Sequence, residues 1–97
     1  MNRQEIISTL EGHSAYLKKL GVIKIGLFGS RARGDEKQTS DLDFVVEFEA
    51  KTFDSYMDCK EFLEKLFSRP VDLVMADSIK PGLRQAILRE TVYASGL

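Results

Sequence analysis

Apolar residues recur at three- and four-residue steps through Ile6, Ile7, Leu10, Leu17 and Leu20, with His13 or Ser14 between them. This period predicts an amphipathic helix over residues 3–20, ended by Gly21. The period then shortens. Val22-Ile23-Lys24-Ile25-Gly26-Leu27-Phe28 is a short, β-branched, largely apolar run bounded by glycine, and reads as a mostly buried first strand that stops at Gly29. Residues 29–40, GSRARGDEKQTS, carry two glycines and five charges without an apolar period. They read as a turn, with room for one helical turn, followed by an exposed loop, the kind of segment that often carries function.

Residues 41–49, DLDFVVEFE, alternate at their ends and are continuously apolar in the middle, as a strand buried on both faces for part of its length does. Phe53, Tyr56, Met57, Phe62, Leu63, Leu66 and Phe67 return to helical spacing over 53–68, with Thr52 placed as N-cap and Pro70 forbidding continuation. Residues 71–75, VDLVM, form a third short strand. Pro81 opens a last helix, and Thr91-Val92-Tyr93-Ala94 is extended. The order α-β-α(turn)-β-α-β-α defines an α/β (α+β) fold, a small mixed sheet flanked by helices. The helix between the second and third strands has the length that a right-handed crossover between parallel neighbours needs, so their starts share one edge of the sheet.

With 97 residues, the chain is expected to be a single domain spanning residues 1–97. A domain of this size buries roughly 60 to 65% of its unfolded surface, enough for one core but not for a deep private chamber. Fourteen basic residues against fifteen acidic ones give a net charge of -1, which argues against direct nucleic-acid binding or an anionic membrane surface recognised through bulk charge. One cysteine, Cys59, rules out an internal disulfide, and with one histidine it cannot build an ordinary four-ligand zinc site. Neither a signal peptide nor an apolar run of ~18 residues is present, and the expectation is a cytoplasmic protein with no membrane contact.

Side chains at i and i+2 of a strand leave the same face about 6.5 to 7 Å apart, so Asp41 and Asp43 point one way at the start of the second strand. Asp72, near the start of the third, joins them if that strand runs parallel alongside at ~4.8 Å. At ~5 Å and an effective dielectric of ~20, each pair repels by roughly 3 kcal/mol. Divalent cations with oxygen ligands offset this best, and two Mg²⁺ ions are the known arrangement for phosphoryl or nucleotidyl displacement. A bare D-x-D has a plainer reading: Asp41 in a turn with Ser40, Asp43 on an exposed edge, and Asp72 paired with Arg69. The upstream Gly29-Ser30, directly after a buried strand and with ten residues between Ser30 and Asp41, adds a second element. Glycine lets backbone N–H groups approach an anion closely, and the serine hydroxyl is a further donor. This is neither a Walker loop nor a dinucleotide fingerprint, since neither spacing occurs. Cations on one element and a triphosphate on the other describe a nucleotide site.

The stretch GSRARGDEKQTSDLDFVV, with a later Asp72 in a V-D-L-V strand and the segment KPGLRQAILRETVYA, resembles the DNA polymerase β-like nucleotidyltransferase superfamily, specifically its minimal nucleotidyltransferase (MNT) branch. The resemblance implies that Asp41, Asp43 and Asp72 hold two Mg²⁺ ions, with Asp72 helping to deprotonate the attacking hydroxyl. It further implies that Gly29 and Ser30 bind the outer phosphates of ATP, and that Arg31 or Arg33 neutralises charge on the departing pyrophosphate. The branch resembles the antitoxin halves of HEPN/MNT toxin–antitoxin pairs, which implies transfer of AMP to a tyrosine of a helical HEPN toxin and a hetero-oligomer with that partner. Two alternatives keep parts of this reading: a nucleotidyltransferase for a small molecule of aminoglycoside type, and an antitoxin that acts by contact alone. Outside the cluster, His13, Met57 and Cys59 read as helix or core residues. Tyr16, Tyr56 and Tyr93 read as packing aromatics, and Lys80 and Arg84 stay open between phosphate contact and solvent.

Overall fold

The structure is a computed structural model that describes residues 1–29, 32 and 41–97. The predicted helical turn and loop after Gly29 therefore lie outside the described residues, apart from Ala32. The first helical segment is two helices, not the single one that its period predicts: α1 (Arg3–Gly12) and α2 (Ser14–Lys19). Gly12 is a weak helix former, and His13 leaves helical geometry at φ -113°, ψ 19°. The His13 Nδ1 lies 2.9 Å from the Thr9 carbonyl, and the helix restarts as the Leu17 N–H donates to the His13 carbonyl. Asn2 and Glu5 close α1 with a capping box. Both helices still seat their apolar stripe: Ile6, Leu10 and Leu17 are completely buried.

The other elements fall close to their expected places. They are β1 (Val22–Phe28), β2 (Leu42–Phe48), α3 (Phe53–Phe67), β3 (Val71–Met75), a 3₁₀ turn (Ala76–Ser78), α4 (Pro81–Glu90) and β4 (Val92–Tyr93). Thr52 caps α3, its hydroxyl accepting the Ser55 N–H at 3.0 Å, and Ser68 ends it in the left-handed region at φ 53°. β1 is less buried than its apolar run suggests. Its start is irregular between Val22 and Lys24 and leaves Ile23 exposed, while Lys24 lies over the Tyr93 ring at 4.2 Å.

The sheet order is β3-β2-β1-β4, with β1 antiparallel to both β2 and β4, and β2 parallel to β3. α3 is the crossover between the parallel pair. One face of the sheet presents Ile25, Leu27, Leu42, Phe44, Val46, Val71 and Leu73 to the helices, where Ile6, Leu10, Leu17, Cys59, Leu63 and Phe67 complete the main core. Each such side chain contributes about 1.5 to 3 kcal/mol on burial. The opposite face holds a smaller cluster, Val45, Ala76 and Ile79, against Phe28, Val74, Tyr93 and the Ile87 and Leu88 side chains of α4. The residues of β2 that point to this second face are Asp43, Val45 and Glu47, so Asp43 sits at one end of the α4 side and Glu47 at the other. No helix among the described residues is long and apolar enough to cross a membrane.

Candidate active site

β2 is an interior strand, and its second residue is Asp43. In the antiparallel direction Asp43 faces Phe28, the last residue of β1; in the parallel direction it faces Asp72. Register partners in adjacent strands lie about 4.8 Å apart along the hydrogen-bonding direction, so two carboxylates leave neighbouring backbones on one face. Asp43 is half-buried and Asp72 exposed. Asp41 is exposed, one residue ahead of β2 and two from Asp43. The plainer reading of Asp72 is not realised, because no ion pair joins it to Arg69, whose Nε is buried without a hydrogen-bond partner.

α3 holds the strand that carries Asp72. β3 is one of the sheet's two edge strands among the described residues, and its outward backbone groups would otherwise lack partners. Glu64 Oε2 accepts the Val71 N–H at 3.1 Å, and the Tyr56 hydroxyl donates to the Leu73 carbonyl at 2.7 Å, one bond on each side of Asp72.

Gly29 follows β1 at φ 78°, a conformation that favours glycine. A Cβ there would overlap Asp43 Oδ2 and stand 3.1 Å from its Cγ. The strand–turn junction thus runs directly against the Asp43 carboxylate, and Gly29 and Asp43 are neighbours in the fold. Ser30, Arg31 and Arg33 lie outside the described residues. Ala32 is buried, and its carbonyl accepts a hydrogen bond from Arg3 Nη1 at 2.9 Å, which ties α1 to this segment.

Two contributors escaped the sequence reading. Arg3 is one. Glu90 is the other: its Oε1 accepts the Gly29 N–H at 3.2 Å across 61 residues. Both act through contacts between distant segments, which no local pattern signals. Of the open residues, Arg84 lines a cleft with Glu47 and Asp77, at the opposite end of β2 from Asp43, and Lys80 is exposed. His13 packs edge-on to Phe62, which also takes Tyr16, as packing residues do. Cys59 is fully buried, and burial pushes its thiol up to about 12.

Among the described residues no three His, Cys, Asp or Glu side chains form a group that could hold a metal ion. The donor chemistry nonetheless suits Mg²⁺, a hard ion that keeps several waters and takes one or two carboxylates together with substrate phosphates rather than a full protein cage. Two adjacent carboxylates, one exposed, beside a glycine turn meet that description.

A small mixed sheet with paired aspartates at the start of two parallel strands, facing a glycine turn at the end of a third, defines a nucleotidyl-transfer fold. The chain belongs to the nucleotidyltransferase domain family, whose model matches residues 10–94. It is 42% identical over 92 residues to the protein adenylyltransferase MntA of Thermococcus cleftensis, covering 93% of each chain. It superposes on a solved structure provisionally described as a minimal nucleotidyltransferase with a TM-score of 0.81, at 32% identity and covering 95% of each chain. The fold also matches a chain in the complex of a tri-AMPylated Shewanella oneidensis HEPN toxin with its MNT antitoxin, with a TM-score of 0.65 at 20% identity, covering 94% of this chain and 73% of that one.

Proposed function

We propose that this enzyme is the antitoxin of a toxin–antitoxin pair and transfers AMP from ATP to a tyrosine hydroxyl of a HEPN-family toxin. The observation that carries this reading is the pairing of Asp43 with Asp72 directly against Gly29. The relative named as a protein adenylyltransferase supports the reaction class, and the tri-AMPylated HEPN toxin in the complex of like fold supports a toxin as the acceptor.

In this reading the adjacent Asp43 and Asp72, with Asp41 beside them, would hold two Mg²⁺ ions together with the substrate phosphates rather than as a protein cage, and the ions would offset the crowded carboxylates and polarise the triphosphate. Asp72, the most open of the paired carboxylates, accepts the proton of the attacking hydroxyl. The hydroxyl oxygen bonds to the α-phosphorus, the bond to the bridging oxygen breaks, and pyrophosphate leaves with that electron pair. Ser30 donates to the outer phosphates, and Arg31 or Arg33 offsets charge on the leaving group. Residues 1–97 act as one catalytic domain in the cytoplasm, with the acceptor surface supplied by the partner.

The test is incubation of the purified chain with labelled ATP, Mg²⁺ and a purified HEPN partner, followed by mass spectrometry. A gain of one or more AMP groups on tyrosine is expected. No gain with any nucleotide or acceptor would remove the transferase reading, and protection of cells by the D41N/D43N double variant would replace catalysis with contact.

A further inference from the structure

Glu90, the last residue of α4, has no part in the chemistry above, yet the fold delivers it to the site along a defined path. β4 pairs with the second half of β1, Tyr93 opposite Gly26 and Val92 opposite Leu27, and the Ala94 N–H donates to the Ile25 carbonyl at 3.0 Å. Gly26 carries no side chain, and the Thr91 methyl and Tyr93 ring fill the volume its Cβ would take. Thr91 also closes α4, its hydroxyl donating to the Ile87 carbonyl at 2.7 Å. The corner between α4 and β4 therefore rests on Gly26. Glu90, the residue before that corner, reaches the end of β1, where it accepts the Gly29 N–H.

This bond changes what Gly29 contributes. A donor engaged by a carboxylate is not available at full strength to a phosphate, whereas the missing side chain still allows the Asp43 carboxylate to lie against the turn. Resting on the reading of this site as ATP-dependent, we propose that Glu90 is a positioning residue: it holds the Gly29 amide so that the turn leading into the phosphate cradle stays in register with Asp43. It touches neither nucleotide nor acceptor. Gly29 then serves through close approach, and the phosphate donors begin at Ser30.

The first measurement needs no turnover. In the nucleotide-free ¹⁵N-labelled chain, the Gly29 amide should be protected from hydrogen exchange in the wild type and in E90Q, which keeps an acceptor oxygen. It should exchange about tenfold faster in E90A, with core amides such as Val46 unchanged. In steady-state transfer, E90A should raise the KM for ATP about tenfold, the loss expected for one hydrogen bond to a charged acceptor, with kcat within about threefold; E90Q should restore it. E90D, which withdraws the acceptor by one methylene, serves if E90A does not fold. Equal Gly29 exchange in wild type and E90A overturns the proposal. So does an unchanged KM, and so does a lowered one, which would make Glu90 a competitor for the phosphate. Protection of Gly29 without any nucleotide transfer by the wild type would remove the enzymatic reading and leave Glu90 as the strut of the turn.

Discussion

The Asp43 carboxylate lies where a side chain on residue 29 would have to go. Gly29 sits at φ 78°, so alanine there meets both backbone strain and the carboxylate. G29A is expected to lose about 1 to 3 kcal/mol in urea unfolding and to reduce AMP transfer at least about 100-fold by displacing Asp43. Gly82, in the first turn of α4 with nothing within 4 Å of its added Cβ, is the control. G82A should gain about 0.5 to 1 kcal/mol and keep full transfer.

Asp43 and Asp72 stand opposite each other across the parallel pair, Asp43 half-buried and Asp72 exposed. Added Mg²⁺ should raise the Tm of the wild type and have a smaller effect on D72N, while transfer by D72N falls by about 100-fold or more. An identical Mg²⁺ response in both chains would count against the carboxylate pair as the ion's seat.

Tyr56 and Glu64 replace the missing neighbour of the edge strand on either side of Asp72. Y56F deletes one hydroxyl and should cost about 1 kcal/mol. Its readout is hydrogen exchange on β3, which should quicken there and not on β1.

Cys59 tests the depth of the main core. Its thiol is pushed from the usual 9.0 to about 12 by burial. A group raised in the folded state binds its proton longer than the unfolded chain does. Its contribution is therefore complete below pH 9 and is lost as pH rises from about 9 to 12. Stability should fall through that window, and C59A should flatten the slope while lowering stability at neutral pH. Native protein should resist alkylation at Cys59 and react only when unfolded.

The local chemistry of the chain was readable because each signal is carried by neighbours in sequence. Thr52 and Pro70 bracket α3, Pro81 starts α4, and the alternation through Leu42, Phe44, Val46 and Phe48 sets the face of β2. The same period puts Asp43 on the opposite face. The break at His13 was not readable, because the apolar stripe through Ile6, Leu10 and Leu17 continues across it and the interruption is resolved by backbone geometry and a ring-to-carbonyl contact.

Strand and helix positions, the glycine turn after β1 and the sharing of one strand end by two carboxylates follow from residue type and spacing, since torsional preferences and side-chain periods act over a few residues. Which strands become neighbours is a property of the packed sheet. Placing Asp72 opposite Asp43 required the crossover through α3, and bringing Glu90 to Gly29 required β4 to close against β1 over Gly26. Those contacts join residues tens of positions apart, where burial of the two sheet faces, rather than any local preference, decides what meets.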